Sequence, residues 1–252
     1  MFALNRILPS HTSALGRALR MPLRLLPRDV VVRIVSGPNR GMKWIRGAGI
    51  TNACWVGNYE ADHLAALPRL VKPGMIVYDV GAHTGYYTLA LAQLVGEKGH
   101  VYAFEPEARN MYFLRRHVKL NALRNVTVVQ AAVSDKTGLV GFENIHFAQG
   151  SQYLVPTMSL DEFAAAGHPL PTFLKMDIEG AEWPALHGAS AILDKAEAAW
   201  MLATHSDQLR IDCRAKLASR GYRFTAFDCT TDPGNENDFL VLPAALAVTP
   251  VA

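Results

Sequence analysis

Apolar residues in this chain recur with two periods, and the places where the period switches mark the elements. Short runs rich in Val, Ile and aromatic residues at 30–35, 42–45, 76–80, 101–104, 126–129, 173–177, 198–203, 223–227 and 238–242 read as strands. Segments with apolar positions three or four apart, at 60–70, 85–95, about 107–120 and 207–219, read as helices, and a shorter one ends near Gly188. The turn 37–41 separates the first two strands, and Lys72, Pro73 and Gly74 close the first helix. The runs 139–143 and 152–158 read as a hairpin inserted in the series. From residue 76 onward strand and helix alternate, which predicts an α/β fold: a mostly parallel sheet of seven strands with helices on both faces. No helical pattern separates the last two strands, so one of them is expected to run antiparallel.

The run 76–80 leads into the most telling segment. Asp79, Gly81 and Gly85 give Asp-x-Gly-x-x-x-Gly, and a helical pattern follows. A glycine turn between the carboxyl end of a buried strand and a helix N-terminus is where α/β folds take nucleotide-like ligands. Glycine leaves the backbone open to a ligand and tolerates positive φ. His83 stands where a dinucleotide turn of the form Gly-x-Gly-x-x-Gly has its middle glycine. Glu105 lies 24 positions after Gly81, close to the roughly 20-residue spacing at which an acid meets ribose hydroxyls. A carboxylate accepts two hydrogen bonds from a vicinal diol and repels a 2′-phosphate. Asp79 either caps the turn amides or faces a cationic part of the ligand. Asn121 ends the second helix of the alternating series, and small residues of the stretch 130–135, Ala132 among them, would let a flat base lie against them. Asp135 reads as a base contact or as a turn residue.

The second informative segment is Lys175, Met176, Asp177, Ile178, Glu179, Gly180, Ala181, Glu182. Lys175 and Asp177 share one strand face, and such charges inside an apolar strand are costly unless paired or used. Glu179 and Glu182 are expected to begin a helix, with Pro184 in its first turn. Acids there either stabilise the helix dipole or, converging with Asp177, hold Mg²⁺ through oxygen ligands. His205, at the end of the run 198–203, either plays a structural part or takes a proton from an acceptor hydroxyl.

Bulk properties fit this picture. At 252 residues, with 50% hydrophobic and 19% charged residues, the chain suits one α/β domain with additions. We divide it into an N-terminal extension, 1–54, and a domain, 55–252, with the hairpin near 138–158. The net charge is +3, but Arg6, Arg17, Arg20, Arg24 and Arg28 give residues 1–28 a charge of +5, which leaves 3 − 5 = −2 for the remainder. The body therefore shows no basic stripe for nucleic acid. The extension, with Leu15, Leu19 and Leu23 among its arginines, suits a basic helix packed on the domain or touching a membrane surface or partner; organelle targeting stays open. Cys54, Cys213 and Cys229 are scattered, as expected of reduced thiols in a cytoplasmic protein. No stretch reaches the roughly 18–20 apolar residues of a membrane span.

Together these segments resemble the FkbM family of S-adenosylmethionine-dependent methyltransferases, from about Trp55 to His205. The likeness rests on Gly57, Tyr59 and Glu60, on Asp79 to Tyr87, on Phe104, Glu105 and Pro106, and on Asn121. It continues through Ser159, Leu160 and Asp161, residues 175–182, and Gly188 with Ala189. The resemblance implies a class I methyltransferase, Rossmann-like fold and O-methylation of a hydroxyl on a small molecule or saccharide. It places Asp79, Gly81, Gly85 and Glu105 at the methyl donor and Asp177, Glu179 and Glu182 near the acceptor; to the donor site we add Ala82, His83, Pro106, Asn121, Ala132 and Asp177. Tyr59, Glu60, Lys175 and Glu179 would bind the acceptor, with His205, Asp177 and Glu182 catalytic. Two departures stand out: the family commonly has Asn at His83, and tends to have Glu at Thr204. A nicotinamide-dependent oxidoreductase is disfavoured by the missing middle glycine and by the absence of a Tyr-x-x-x-Lys pair. A binding protein without catalysis is the other alternative, and Thr204 is its support. A nucleic-acid amino-methyltransferase would need an Asn/Asp-Pro-Pro-aromatic turn where Asp177 and Ile178 stand.

Overall fold

The computed structural model describes residues 27–49, 51–143, 146–147 and 150–246. Its first elements are β1 (Val31–Arg33), β2 (Lys43–Ile45), α1 (Ala53–Val56), α2 (Ala61–Leu70), β3 (Ile76–Val80) and α3 (Tyr86–Val95). Next come β4 (His100–Phe104), α4 (Ala108–Leu120), β5 (Val126–Val129), β6 (Ala132–Val133), β7 (Gly138–Glu143), β8 (His146–Phe147) and β9 (Leu154–Met158). The chain ends through α5 (Leu160–Ala165), β10 (Phe173–Met176), α6 (Glu182–His187), α7 (Ser190–Lys195), β11 (Ala199–Ala203), α8 (Asp207–Ala218), β12 (Tyr222–Thr225) and β13 (Asp238–Pro243).

Seven strands form the main sheet in the order β12-β13-β11-β10-β3-β4-β5. All run parallel except β13, which is antiparallel to both β11 and β12. This is the mostly parallel seven-stranded sheet that the strand pattern predicts, in the class I methyltransferase, Rossmann-like arrangement that the resemblance implies. Strand order reverses between β3 and β10, and a crevice opens at the carboxyl ends of strands flanking such a point. Alternation along each strand feeds two cores. Val77, Phe173 and Met201 face Trp44, Ile45, Leu67 and Leu89, while Tyr78, Leu174 and Trp200 face Leu186, Leu193 and Leu217. Residues of the hairpin β1–β2 thus belong to the same core as α3. The expected basic helix around Leu15, Leu19 and Leu23 lies outside the described residues. Among the described residues no helix is long and apolar enough to cross a membrane.

Three details differ from expectation. The helix expected to begin at Glu179 begins at Glu182, because Glu179 (φ 53°) and Gly180 (φ 100°) are both left-handed and break the path. The inserted hairpin, β7 against β9, is part of a small sheet of order β6-β9-β7-β8, in which β6 pairs parallel with β9. Helices α5 and α7 were not anticipated. Ser159 Oγ caps α5 by accepting from the Glu162 amide (3.1 Å), and Asp161 accepts from the amides of Ser190 and Ala191 that begin α7 (2.8 and 2.9 Å).

Candidate active site

After β3 the chain turns through 81–85 into α3. Gly81 (φ 79°) and Gly85 (φ 94°) are left-handed, as is His83 (φ 49°), a conformation that His and Asn tolerate better than most residues. At Gly81 there is a second requirement: a Cβ would overlap the carbonyl oxygen of Asp177, in the turn after β10. At Gly85 it would press on Leu114 of α4, so this glycine serves packing between helices.

Beside the turn lies a cavity of about 310 Å³. Gly81, Ala82, His83, Glu105, Pro106, Ala132 and Asp177 line it, with apolar wall from Phe104, Ala131, Val133 and Phe142. Glu105 is 5% exposed; its Oε2 accepts from the His83 amide (2.7 Å) and its Oε1 from the Glu107 amide (2.9 Å). Burial pushes its carboxyl above the usual range, against those two amides. Burial also lowers His83 to about 4, helped by Lys175 and Arg109, so its ring is neutral near pH 7. Two buried polar atoms of cavity residues, Tyr86 Oη and Asn110 Oδ1, have no hydrogen-bond partner among the described residues. A nucleoside-bearing ligand fits this set: a carboxylate for a diol, apolar walls for a base, and two polar atoms for its remaining groups.

A second cavity of about 220 Å³ shares Tyr59, Tyr87, Lys175, Asp177 and Glu179 with the first. Glu60, His63, His205, Phe227 and Asp238 are among its other lining residues. The Glu60 carboxyl is held at about 2: burial opposes its charge, but hydrogen bonds from His63, Tyr59 and Tyr87 outweigh burial. Tyr87 donates to it at 2.5 Å. Parallel register sets Lys175 opposite Asp79. The Lys175 ammonium donates to the Gly81 carbonyl (2.8 Å) and lies 3.5 Å from Asp177 and 3.9 Å from Asp79. Burial opposes its charge, but the two carboxylates hold it above the usual lysine range. Burial raises Asp79 in turn, against Lys175 and Thr88. Of the two, the lysine is firmly charged, since it keeps two carboxylates and a carbonyl in reach.

His205 Nδ1 lies 2.7 Å from Oε1 of Glu182, a fully buried side chain, and Nε2 lies 3.4 Å from Asp177 and 3.2 Å from Glu179. The hydrogen bond to Glu182 raises the His205 pKa above the ordinary histidine value, against burial. Ligating atoms of Asp177, Glu179 and His205 lie within 4.8 Å of one another. That spacing suits one divalent cation as well as it suits ion pairs to a protonated imidazole.

Four residues assigned to the site from sequence lie outside both cavity linings, Glu182 among them although it bonds His205. Asp79 is fully buried beneath the turn, accepting from Thr88 (2.6 Å), and lines neither cavity. Gly85 packs on Leu114. Asn121 bonds both the amide and the carbonyl of Lys43 in β2 (2.7 and 2.9 Å), away from both cavities. Glu182 also lies outside both linings, behind His205. Asp135, exposed and bonded to Ser134 (3.2 Å), is a turn residue. Thr204 is buried, donating to the Asn237 carbonyl (2.9 Å). Sequence reasoning missed Asn110, one turn into the helix after Glu105, and Asp238, which reaches the rim only because β13 pairs with β11.

The family model of the methyltransferase FkbM domain matches residues 79–224. The sequence is 37% identical over 77 residues to a ribosomal protein L11 methyltransferase of Caldanaerobacter subterraneus subsp. tengcongensis, covering 30% of this chain and 24% of that protein. It is 36% identical over 59 residues to a protein-L-isoaspartate O-methyltransferase of Methanothrix thermoacetophila, covering 23% of this chain and 28% of that protein. Among solved structures, a methyltransferase FkbM from Methylobacillus flagellatus superposes with a TM-score of 0.51 at 24% identity, over 66% of this chain and 43% of that one, a likeness of fold. The chain thus spans about a quarter of the length of these curated relatives and under half of the solved one.

Proposed function

The chain belongs to the FkbM methyltransferase family, and from that premise we propose that it O-methylates a hydroxyl of a small molecule or saccharide. S-Adenosylmethionine is the methyl donor, and it supplies an electrophilic methyl group on a sulfonium sulfur. Glu105, Ala82, His83, Pro106, Ala132 and Asn110 would hold it in the larger cavity, and the acceptor would sit in the smaller one. The observation that carries the reading is the Glu182–His205 pair at the rim of that smaller cavity, 2.7 Å apart.

Glu182 accepts a hydrogen bond from Nδ1–H, which fixes the tautomer whose Nε2 lone pair is free to take the proton of an acceptor hydroxyl. Asp177 and Glu179 then face the imidazolium that results. Residues shared by the two cavities hold the acceptor oxygen where the two ligands meet. Because Glu182 supplies the carboxylate, Thr204 does not leave His205 without a partner, which supports an active enzyme over a binding protein.

The test is transfer of radiolabelled methyl from S-adenosylmethionine to hydroxyl-bearing small molecules and saccharides, with the linkage of each product determined. An acid- and base-stable methyl ether is expected; products that are only N-methylated or base-labile esters would sink the proposal. His205→Ala should lower kcat about a hundredfold and leave S-adenosylhomocysteine affinity within about threefold. A pH profile gives the sign. Below the raised pKa of His205, Nε2 is protonated and cannot accept, so kcat should climb with pH through a value above 6.5 and then level. Glu182→Gln removes the largest raising influence and should move that limb to lower pH. A limb that stays put assigns it to another group.

A further inference from the structure

Residues before the family match at 79–224 reach into the donor turn, at two points that flank Gly85. The Ile45 amide of β2 donates to His117 Nε2 at 2.9 Å. That nitrogen therefore carries a lone pair, and the ring proton sits on Nδ1, 2.7 Å from the carbonyl oxygen of Thr84 in the turn. On the other side of Gly85, Asn39 Nδ2 donates to the Tyr86 carbonyl at 2.8 Å. Asn39 and His117 are both fully buried. Trp44 stacks on the His117 ring (3.9 Å between centroids, 13° between planes) and meets Tyr86 edge-on at 5.7 Å. Asn121 bonds both polar groups of the Lys43 backbone, so the hairpin is itself fixed to α4.

We propose that the hairpin β1–β2 and His117 position the methyl-donor turn, with His117 as a neutral relay from the Ile45 amide to the Thr84 carbonyl and Asn39 as a second hold on Tyr86. The inference rests on the reading of the larger cavity as the donor site. Thr84 and Tyr86 both line that cavity, and Tyr86 brings to it a hydroxyl with no hydrogen-bond partner among the described residues. A backbone held at both ends presents its groups at fixed positions, so the cost of ordering them is met on folding and not on binding. These are positioning residues: Asn39 and His117 line neither cavity.

The experiment is calorimetric titration of the full chain with S-adenosylhomocysteine, paired with thermal melts. His117→Phe keeps a stacking ring but removes both hydrogen bonds, and Asn39→Ala removes the other hold. Leu217→Ala, in the opposite core, serves as a control for lost stability. Both hairpin-linked variants should raise Kd about tenfold or more, while Leu217→Ala lowers Tm and leaves Kd within about twofold. Nitrogen-15 spectra of the wild type should place the His117 proton on Nδ1. Wild-type Kd in Asn39→Ala, an equal rise in Leu217→Ala, or a proton on Nε2 overturns the proposal. Should His117→Phe fail to fold, Asn39→Ala decides in the same terms. Wild-type protein that gives no binding overturns the donor-site reading itself, a result distinct from equal binding by wild type and variants.

Discussion

Gly81→Ala should unfold the donor turn and cost about 4 kcal/mol of stability, the sum of roughly 1–2 for left-handed backbone and 1–3 for overlap. The added Cβ meets the Asp177 carbonyl, which is main chain and cannot swing aside like a flexible side chain. Either β3 or β10 must shift, and both are paired along their whole length at the centre of the sheet. In a chain of this size each kcal/mol moves Tm by about 2–4 °C, so a drop of about 10 °C is expected, with S-adenosylhomocysteine binding lost. Gly85→Ala touches only the end of the Leu114 side chain and strains the same backbone region, so it should cost less. Equal melting of Gly81→Ala and wild type would mean that the two turns do not meet as described.

Lys175→Met should be the second large loss, about 3–5 kcal/mol, because it strands a buried carboxylate. Asp79 is fully buried, and among the described residues one of its oxygens has no hydrogen-bond partner, only Lys175 at 3.9 Å. Without the ammonium, Asp79 must either take up a proton or remain charged with Thr88 alone. The Gly81 carbonyl loses its donor as well. Adding Asp79→Asn removes the stranded charge, so the double variant should melt above Lys175→Met. A double-mutant cycle by urea denaturation should yield a coupling of about 1 kcal/mol or more. Additive losses would show that the pair does not interact.

Sequence and structure agree best where local pattern decides the outcome. Strands 76–80 and 126–129 stand at their expected positions, because buried parallel strands are short continuous apolar runs with turn residues at both ends. That one of the last two strands runs antiparallel was legible from the lack of a helix between the last two runs. Long-range pairings were not. Ala132–Val133 is too short to have a period of its own and is a strand only because β9 lies beside it. Asn121 and Asp79 looked like ligand contacts because polar residues at element ends serve both ligands and scaffold, and nothing local tells the two apart. Asp79 in fact answers Lys175 across the sheet, 96 positions later. The Glu182–His205 pair joins the start of α6 to the segment after β11, so each residue was visible alone and their partnership was not. Ser159 with Glu162 did carry a local signature, the Ser-x-x-Glu start of a helix.

Strand order also governs how the molecule comes together in time. The strands β3, β4 and β5 can pair as they leave the ribosome, but β10, the other neighbour of β3, begins 93 positions after Val80. At about 5–20 residues per second, the inner edge of β3 waits roughly 5–20 s for its partner. Pairing across so long a loop is slow, and until it happens an apolar strand edge stands open to other chains. Gly81 stands on one lip of this seam and Asp177 on the other. The crevice is therefore absent from either half-sheet and comes into being only when the two halves dock.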